Sequence, residues 1–257
     1  MPRIEVGPFG TEQAQLYRLS NDAGMVVTLT NFGARIVDIL LPVDDQLRPV
    51  SLAAQSDEDY LEKDAYVGST VAPVAGRISG AAASIKGQLV HFTENEPGRT
   101  LHGGDKASNL QYWQARVDEA ANQVSFSLVL PDGYNGFPGP VTVTANYTLT
   151  EENELRIAYQ ACSEKDTIFN PTNHVYFNLS GDFSQTVAEH ELRITAEQFV
   201  PLGEDNLPLG EFWPVQGTPF DFREFAPLGQ GLIGQHPQNQ LVNGYDHPWV
   251  LLKEEIP

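Results

Sequence analysis

The sequence predicts an all-β protein, a large antiparallel β-sandwich, and two observations carry that prediction. Short runs of alternating polar and apolar residues recur along the chain, and turn-forming residues separate them. Helical periodicity is scarce, and only residues 57–63 read as a short helix. With 257 residues and no linker-like tract, we expect a single domain over residues 1–257. A sandwich is favoured over a closed barrel at this length.

The predicted strands follow one another at short intervals. The clearest cover residues 25–30, 35–41, 124–130, 141–149 and 155–159. The turn at residues 151–153 (EEN) joins the last two as a hairpin. From about Pro201 onward, prolines punctuate long loops, which on a rigid sheet usually shape a binding face. Residues 249–252 read as one further strand.

Composition excludes several classes of function. Fifteen Lys and Arg against 34 Asp and Glu give a net charge of −19, which repels nucleic-acid phosphates and anionic lipid headgroups. No nucleic-acid or membrane partner is therefore expected, and neutral or cationic small molecules are favoured as ligands. The lone Cys162 suits a reducing compartment, and the sequence starts with no targeting signal, so a cytoplasmic location is predicted.

His174 is the first candidate for chemistry. It lies in residues 170–179 (NPTNHVYFNL), whose alternation predicts a half-buried strand with the imidazole on the polar face. An unperturbed imidazole has a pKa of about 6.5 and exchanges protons at neutral pH. Neighbours such as Tyr176 offer hydrogen bonds suited to a polyhydroxylated ligand. A purely structural histidine is the alternative.

Two further segments carry candidate site residues. Residues 101–104 (LHGG) place His102 on a loop where two glycines permit close approach of the backbone. Residues 244–249 (GYDHPW) combine the Asp246 carboxylate with aromatic rings, a mixture typical of carbohydrate sites. The alternatives are an ordinary turn for the first segment and a turn capped by Asp246 for the second.

Arg77 is one of few basic residues and lies between small residues, so its fork of donors is placed to hold hydroxyls or a carboxylate, with a buried ion pair as the alternative. The six histidines have no metal-ligand spacing, and one cysteine cannot build a zinc cluster. No metal or other cofactor is expected.

Five motifs in register resemble those of the aldose 1-epimerase (galactose mutarotase) family. They are residues 31–34 (NFGA), 75–78 (AGRI), 101–104 (LHGG), 173–179 (NHVYFNL) and 245–248 (YDHP). The resemblance implies a large antiparallel β-sandwich and cofactor-free interconversion of the α and β anomers of free hexoses such as glucose and galactose. One departure is that Gly76 and Arg77 stand where family members commonly have Asn-Arg.

The resemblance also implies roles for individual residues. His174 is the acid that protonates the ring oxygen of the sugar, and His102 holds and polarises the same region. Arg77 and Asp246 bind other hydroxyls of the sugar, and Tyr176 forms part of the pocket wall. The partner is thus a small aldose sugar, and a homodimer is left open.

The family's general base is a glutamate on a late strand, well beyond the YDHP motif. Glu254 and Glu255 follow that motif too soon to match it, so we expect the base beyond Pro257. The strand at residues 249–252 should also continue into a hairpin. We therefore expect a natural chain that continues, with the C-terminal strands of the sandwich lacking here.

Two alternatives to a hexose mutarotase stay open at this point. One is a hexose-6-phosphate mutarotase, although phosphate recognition normally needs several cations around one anion. The other is a carbohydrate-binding or regulatory relative without catalysis, which the absence of the expected glutamate would favour.

Overall fold

The computed structural model describes residues 4–63, 66–232 and 234–252. The chain divides into two compact units, Met1–Gly181 and Asp182–Pro257, and each is described by itself. That the chain forms a single domain stays a prediction. Within the described ranges, no helix combines the length and the apolar character that a transmembrane span requires.

Strands are the main regular elements of the first unit, and its described residues also form one α-helix, α1 (Asp57–Lys63), and one 3-10 helix (Ser108–Leu110). In chain order its strands are β1 (Ile4–Phe9), β2 (Thr11–Ser20), β3 (Val26–Thr30), β4 (Arg35–Val43), β5 (Gln46–Pro49), β6 (Thr70–Val71), β7 (Arg77–Ser79), β8 (Ala82–Ile85), β9 (Gln88–His91), β10 (Arg99–Leu101), β11 (Gln114–Asp118), β12 (Gln123–Leu130), β13 (Val141–Leu149), β14 (Leu155–Ser163) and β15 (Thr172–Asn173).

Two antiparallel sheets share the main core of this unit. One has the order β1-β2-β3-β4-β5 and the other β11-β12-β13-β14. Strand β13 alternates strictly, so that Val143, Ala145 and Tyr147 are buried while Thr144 and Asn146 between them are partly exposed. They pack in one apolar cluster with Leu29 and Ile36 of the first sheet. The predicted antiparallel β-sandwich is confirmed.

The segment that carries His174 is less regular than predicted. Only Thr172–Asn173 form a strand, and single bridges at Asn170 and Phe177 flank it. The alternation of residues 170–179 is therefore not that of one continuous strand. The backbone there pairs in short stretches with different neighbours, β15 with β6 and Phe177 with Ser51.

The second unit contains short elements connected by long loops. They are β16 (Glu191–Leu192), β17 (Ala196–Phe199), β18 (Trp213–Pro214), β19 (Ala226–Pro227), α2 (Gly229–Leu232), α3 (Pro237–Val242) and β20 (Trp249–Leu251). Strand β17 pairs with both β18 and β20, so the predicted strand near residues 249–252 is confirmed over Trp249–Leu251. The α3 helix was not predicted. Pro237 stands in its first turn, and the side chain of His236 caps its N-terminus.

Arg35 is the largest fully buried side chain of the described residues. Its guanidinium donates from Nε to the carbonyl of Phe32 at 2.9 Å, from Nη1 to that of Val67 at 2.7 Å and from Nη2 to that of Asn109 at 2.9 Å. It also lies over the Tyr60 ring, 4.0 Å from its centroid. One side chain thus joins three separate segments of the first unit.

Replacing Arg35→Met should lower the free energy of unfolding by about 3 kcal/mol or more, because two buried carbonyls and one partly buried carbonyl lose a charged donor. Urea denaturation measures this change. The control is Arg116→Met on the exposed face of β11, which should stay within about 0.5 kcal/mol of the wild type. Equal effects of the two substitutions would contradict the role given to Arg35.

Candidate active site

His174 directly follows β15 and is held through its backbone. Its N–H donates to the carbonyl of Ser69 at 2.9 Å, and its carbonyl accepts from the N–H of Gly68 at 2.9 Å. The preceding Asn173 donates from Nδ2 to the carbonyl of Gly68 at 2.9 Å and accepts the N–H of Val175 at 3.0 Å. Residues 66–69, which we call the clamp segment, therefore fix the backbone of His174 on both sides.

His102 follows β10 with a φ of 52°, which lies in the left-handed region that non-glycine residues rarely occupy. Its N–H donates to the carbonyl of Gly76 at 3.0 Å, and its Nδ1 accepts the N–H of Gly76 at 3.1 Å. Because Nδ1 is an acceptor, the neutral ring carries its proton on Nε2. The half-buried imidazole is thus oriented with Nε2–H as a donor.

The loop around His102 is held on both sides. Asn95 accepts the N–H of Leu101 at 2.7 Å and donates to the carbonyl of Leu101 at 2.9 Å. Gly103 has a φ of 85°, and a Cβ there would lie 3.0 Å from the carbonyl oxygen of Ala72. The strained backbone of His102 is therefore over-determined by its surroundings, as is common at functional sites.

Four rings meet at this place, and we call Tyr66, His102, His174 and Tyr176 the two-histidine cluster. The ring centroids of His102 and His174 lie 5.4 Å apart, with the planes at 89°. Tyr66 lies 4.7 Å from the His102 ring and 5.9 Å from the His174 ring. Tyr176, which is 42% exposed, lies 5.1 Å from His174. The structure brings together three predicted site residues and adds Tyr66, which no sequence motif indicated.

Strand β7 carries Arg77 and pairs with β10, where Leu101 is the register partner of Arg77. His102 is the next residue after Leu101, so the strand pairing places Arg77 close to it. Its Nε and Nη2 donate to the two carboxylate oxygens of Glu96 at 2.7 and 3.1 Å. Arg99 donates to the same carboxylate at 2.8 Å. The hydrogen bonds from Arg77, reinforced by the charges of both arginines, hold the pKa of Glu96 below its ordinary value against the effect of burial. An ion pair, the alternative for Arg77, is thus present, although it is partly buried rather than buried.

Asp246 belongs to the second unit and is exposed. Its N–H donates to Nδ1 of His247 at 3.3 Å. His247 is buried and bonds through Nε2 to Oε1 of Gln238 at 2.9 Å, which in turn accepts the N–H of Leu202. The imidazole thus anchors the backbone of Asp246 to α3. The sequence alone does not indicate that His247 is buried while the neighbouring Asp246 is exposed.

Among residues 4–63, 66–232 and 234–252, no three His, Cys, Asp or Glu side chains are grouped so as to hold a metal ion. Glu254 and Glu255, which were considered as bases, lie outside the described residues.

Comparison with known proteins assigns the family. The model of the family described as aldose 1-epimerase matches residues 15–256. The aldose 1-epimerase of Escherichia coli K12 is 36% identical over 238 residues, which cover 92% of this chain and 68% of that protein. The galactose mutarotase of Homo sapiens is 35% identical over 247 residues, which cover 95% of this chain and 69% of that protein.

A solved structure supports the same family assignment. The galactose 1-epimerase from Lactobacillus acidophilus NCFM superposes with a TM-score of 0.90 at 31% sequence identity, covering 100% of this chain and 76% of that chain. The chain therefore belongs to the aldose 1-epimerase family. The resemblance predicted from the five motifs and the mutarotase-like fold are confirmed.

The buried His247 makes stability depend on pH. Burial, with the nearby His236 as a second cause, lowers the pKa of His247 to about 4 from 6.5. Between pH 6.5 and about 4, His247 binds a proton in the unfolded chain but not in the folded one. Its contribution to the free energy of unfolding is therefore complete above about pH 6.5 and is lost as the pH falls toward 4. We expect a loss of about 3 kcal/mol over that interval.

Chemical denaturation at a series of pH values measures this loss. His247→Gln should remove the His247 contribution to the pH slope, whatever its effect on stability at neutral pH. His91→Gln on β9 is the control, because His91 is exposed, and it should keep the wild-type slope. A slope that is unchanged in His247→Gln would contradict the assignment.

Proposed function

We propose that the protein is an aldose 1-epimerase that interconverts the α and β anomers of free hexoses, glucose or galactose, by ring opening. The observation that carries the proposal is the pair of perpendicular imidazoles, 5.4 Å apart, in a chain of this family. The relatives named aldose 1-epimerase and galactose mutarotase support the substrate class. The net charge of −19 is compatible with a neutral sugar.

Ring opening needs one proton delivered and one removed. An acid protonates the ring oxygen as its bond to the anomeric carbon breaks, and a base takes the proton of the anomeric hydroxyl, which leaves an open-chain aldehyde. Rotation and closure on the other face reverse both transfers. His174 is proposed as the acid, because its backbone is held by hydrogen bonds on both sides while its half-buried side chain stays partly accessible.

His102 is proposed to hold the same region of the sugar. Its Nε2–H is a suitable donor to a sugar oxygen, since Nδ1 is occupied by Gly76. Arg77, whose orientation is set by Glu96, is proposed to donate to sugar hydroxyls. The role of Asp246 as an acceptor from a sugar hydroxyl stays a prediction. Tyr176 is proposed as part of the pocket wall, where an exposed ring suits the C–H face of a sugar.

The identity of the general base stays a prediction. The reaction as proposed needs no metal or other cofactor, since a positioned acid and base suffice.

The two alternatives are less well supported. A phosphorylated sugar needs uncommitted positive charge, but Arg77 and Arg99 share Glu96 between them. A non-catalytic sugar-binding role is less well supported because the relatives that the chain matches are named as an aldose 1-epimerase and a galactose mutarotase. We also propose a cytoplasmic location, which the single cysteine of the chain suits. A homodimer stays open.

Polarimetry on freshly dissolved α-glucose or α-galactose tests the proposal. The protein should accelerate the drift of optical rotation beyond buffer. His174→Gln should lower the rate by roughly two to four orders of magnitude, which is the usual contribution of general acid catalysis. His102→Gln should also lower it, by removing a positioned donor.

The control is again His91→Gln, since this exposed histidine of β9 is not among the proposed site residues. It should retain the wild-type rate. A rate in His174→Gln that equals the wild type would exclude His174 as the acid. No acceleration by the wild-type protein would exclude the proposed activity of this chain.

A further inference from the structure

Tyr66 is the member of the two-histidine cluster to which neither the motifs nor the proposed chemistry gives a role. Its ring contacts both imidazoles, at 4.7 Å from His102 with planes at 60° and at 5.9 Å from His174 with planes at 29°. The two imidazoles come from segments of the chain that are 72 residues apart, as their numbers show. One ring is thus packed against both.

The backbone of Tyr66 is fixed by the same contacts that hold His174. Its carbonyl accepts the N–H of Ser69 at 2.9 Å and the hydroxyl of Ser69 at 2.7 Å, which closes a tight turn. The carbonyl of Ser69 then accepts the N–H of His174. The phenol ring therefore has a defined position relative to the His174 backbone.

The clamp segment is also tied to the interior. The fully buried Arg35 donates to the carbonyl of Val67 at 2.7 Å, and the N–H of Ile36 donates to the carbonyl of Gly68 at 2.9 Å. Gly68 has a φ of 71°, and a Cβ there would lie 2.0 Å from the carbonyl oxygen of Ile36. Tyr66 consequently projects from a segment that is anchored to strand β4 of the main sheet.

Ring packing of this kind restricts rotation of the imidazoles. The hydrogen bond from Gly76 to Nδ1 of His102 forms only when the His102 ring keeps one orientation, and the Tyr66 ring packs against that imidazole. The nearly parallel ring of Tyr66 limits the His174 imidazole in the same way. Proton transfer depends on such orientation, because a misplacement of about 1 Å costs on the order of 100-fold in rate.

We propose that Tyr66 is a positioning residue, whose ring sets the orientation of both imidazoles and thereby the Nε2–H tautomer of His102. The part of this proposal that concerns rate rests on the proposed function. The part that concerns orientation and tautomer does not.

The test compares Tyr66→Leu, Tyr66→Phe and the control Tyr112→Leu. Tyr112 is also half-buried and packs against Phe32 at 5.1 Å, so its replacement removes a comparable ring elsewhere in the first unit. The ¹⁵N chemical shifts of the histidine rings report the tautomer without any need for turnover. Polarimetric kinetics supply kcat and KM for each variant.

We expect the wild type, Tyr66→Phe and Tyr112→Leu to show a single Nε2–H tautomer for His102, and Tyr66→Leu to show a mixture. Tyr66→Leu should lower kcat about 10- to 100-fold with KM changed less than about threefold, the pattern of a lost orientation rather than a lost contact with substrate. Tyr66→Phe should keep most of the wild-type kcat, because it retains the ring.

A single His102 tautomer together with wild-type kcat in folded Tyr66→Leu would overturn the proposal. So would a Tyr66→Phe variant as impaired as Tyr66→Leu, since the hydroxyl and not the ring would then be responsible. If Tyr66→Leu does not fold, nuclear Overhauser contacts from the Tyr66 ring to both imidazoles in the wild type decide, and their absence would overturn it. Failure of the proposed function appears separately, as a wild type that shows the expected tautomer but no mutarotation.

Discussion

Two backbone hydrogen bonds between His174 and the clamp segment are the constraint on which the candidate site depends. They join residues more than 100 positions apart in the sequence, Gly68 and Ser69 on one side and His174 on the other. Arg35 and Ile36 tie the clamp segment to the main sheet. A half-buried imidazole is thereby supported by the core of the first unit, which is what a residue that transfers protons in one geometry requires.

The remaining parts of the site are oriented by neighbours rather than by their own elements. His102 occupies a left-handed backbone conformation that Asn95 and Gly103 stabilise, and its Nδ1 is occupied by Gly76. The fork of Arg77 is set by Glu96. In each case a hydrogen bond to a neighbouring polar group fixes the orientation of the functional side chain. Such support is the physical meaning of a preorganised site.

The sequence predicted the regular parts of the fold well, because strand alternation and turn residues are local signals. Strand β13 and helix α1 have the predicted bounds. The resemblance predicted that His102 and His174 share a site, and both lie in the two-histidine cluster. Tyr66 was missed because it lies in an irregular turn with no periodic pattern. Tyr66 comes close to the imidazoles because the clamp segment pairs with His174, more than 100 positions away, and no local sequence pattern indicates that pairing.

Amide hydrogen exchange tests most directly the claim that His174 is held before any sugar binds. The amide of Gly68 donates to the carbonyl of His174, and the amide of His174 donates to the carbonyl of Ser69. Both amides should therefore exchange as slowly as the amide of Val143 in the buried strand β13. They should be at least about 100-fold slower than the amides of the exposed turn at residues 151–153. Exchange of Gly68 and His174 at the rate of that turn would contradict the account, because His174 would then have no rigid support.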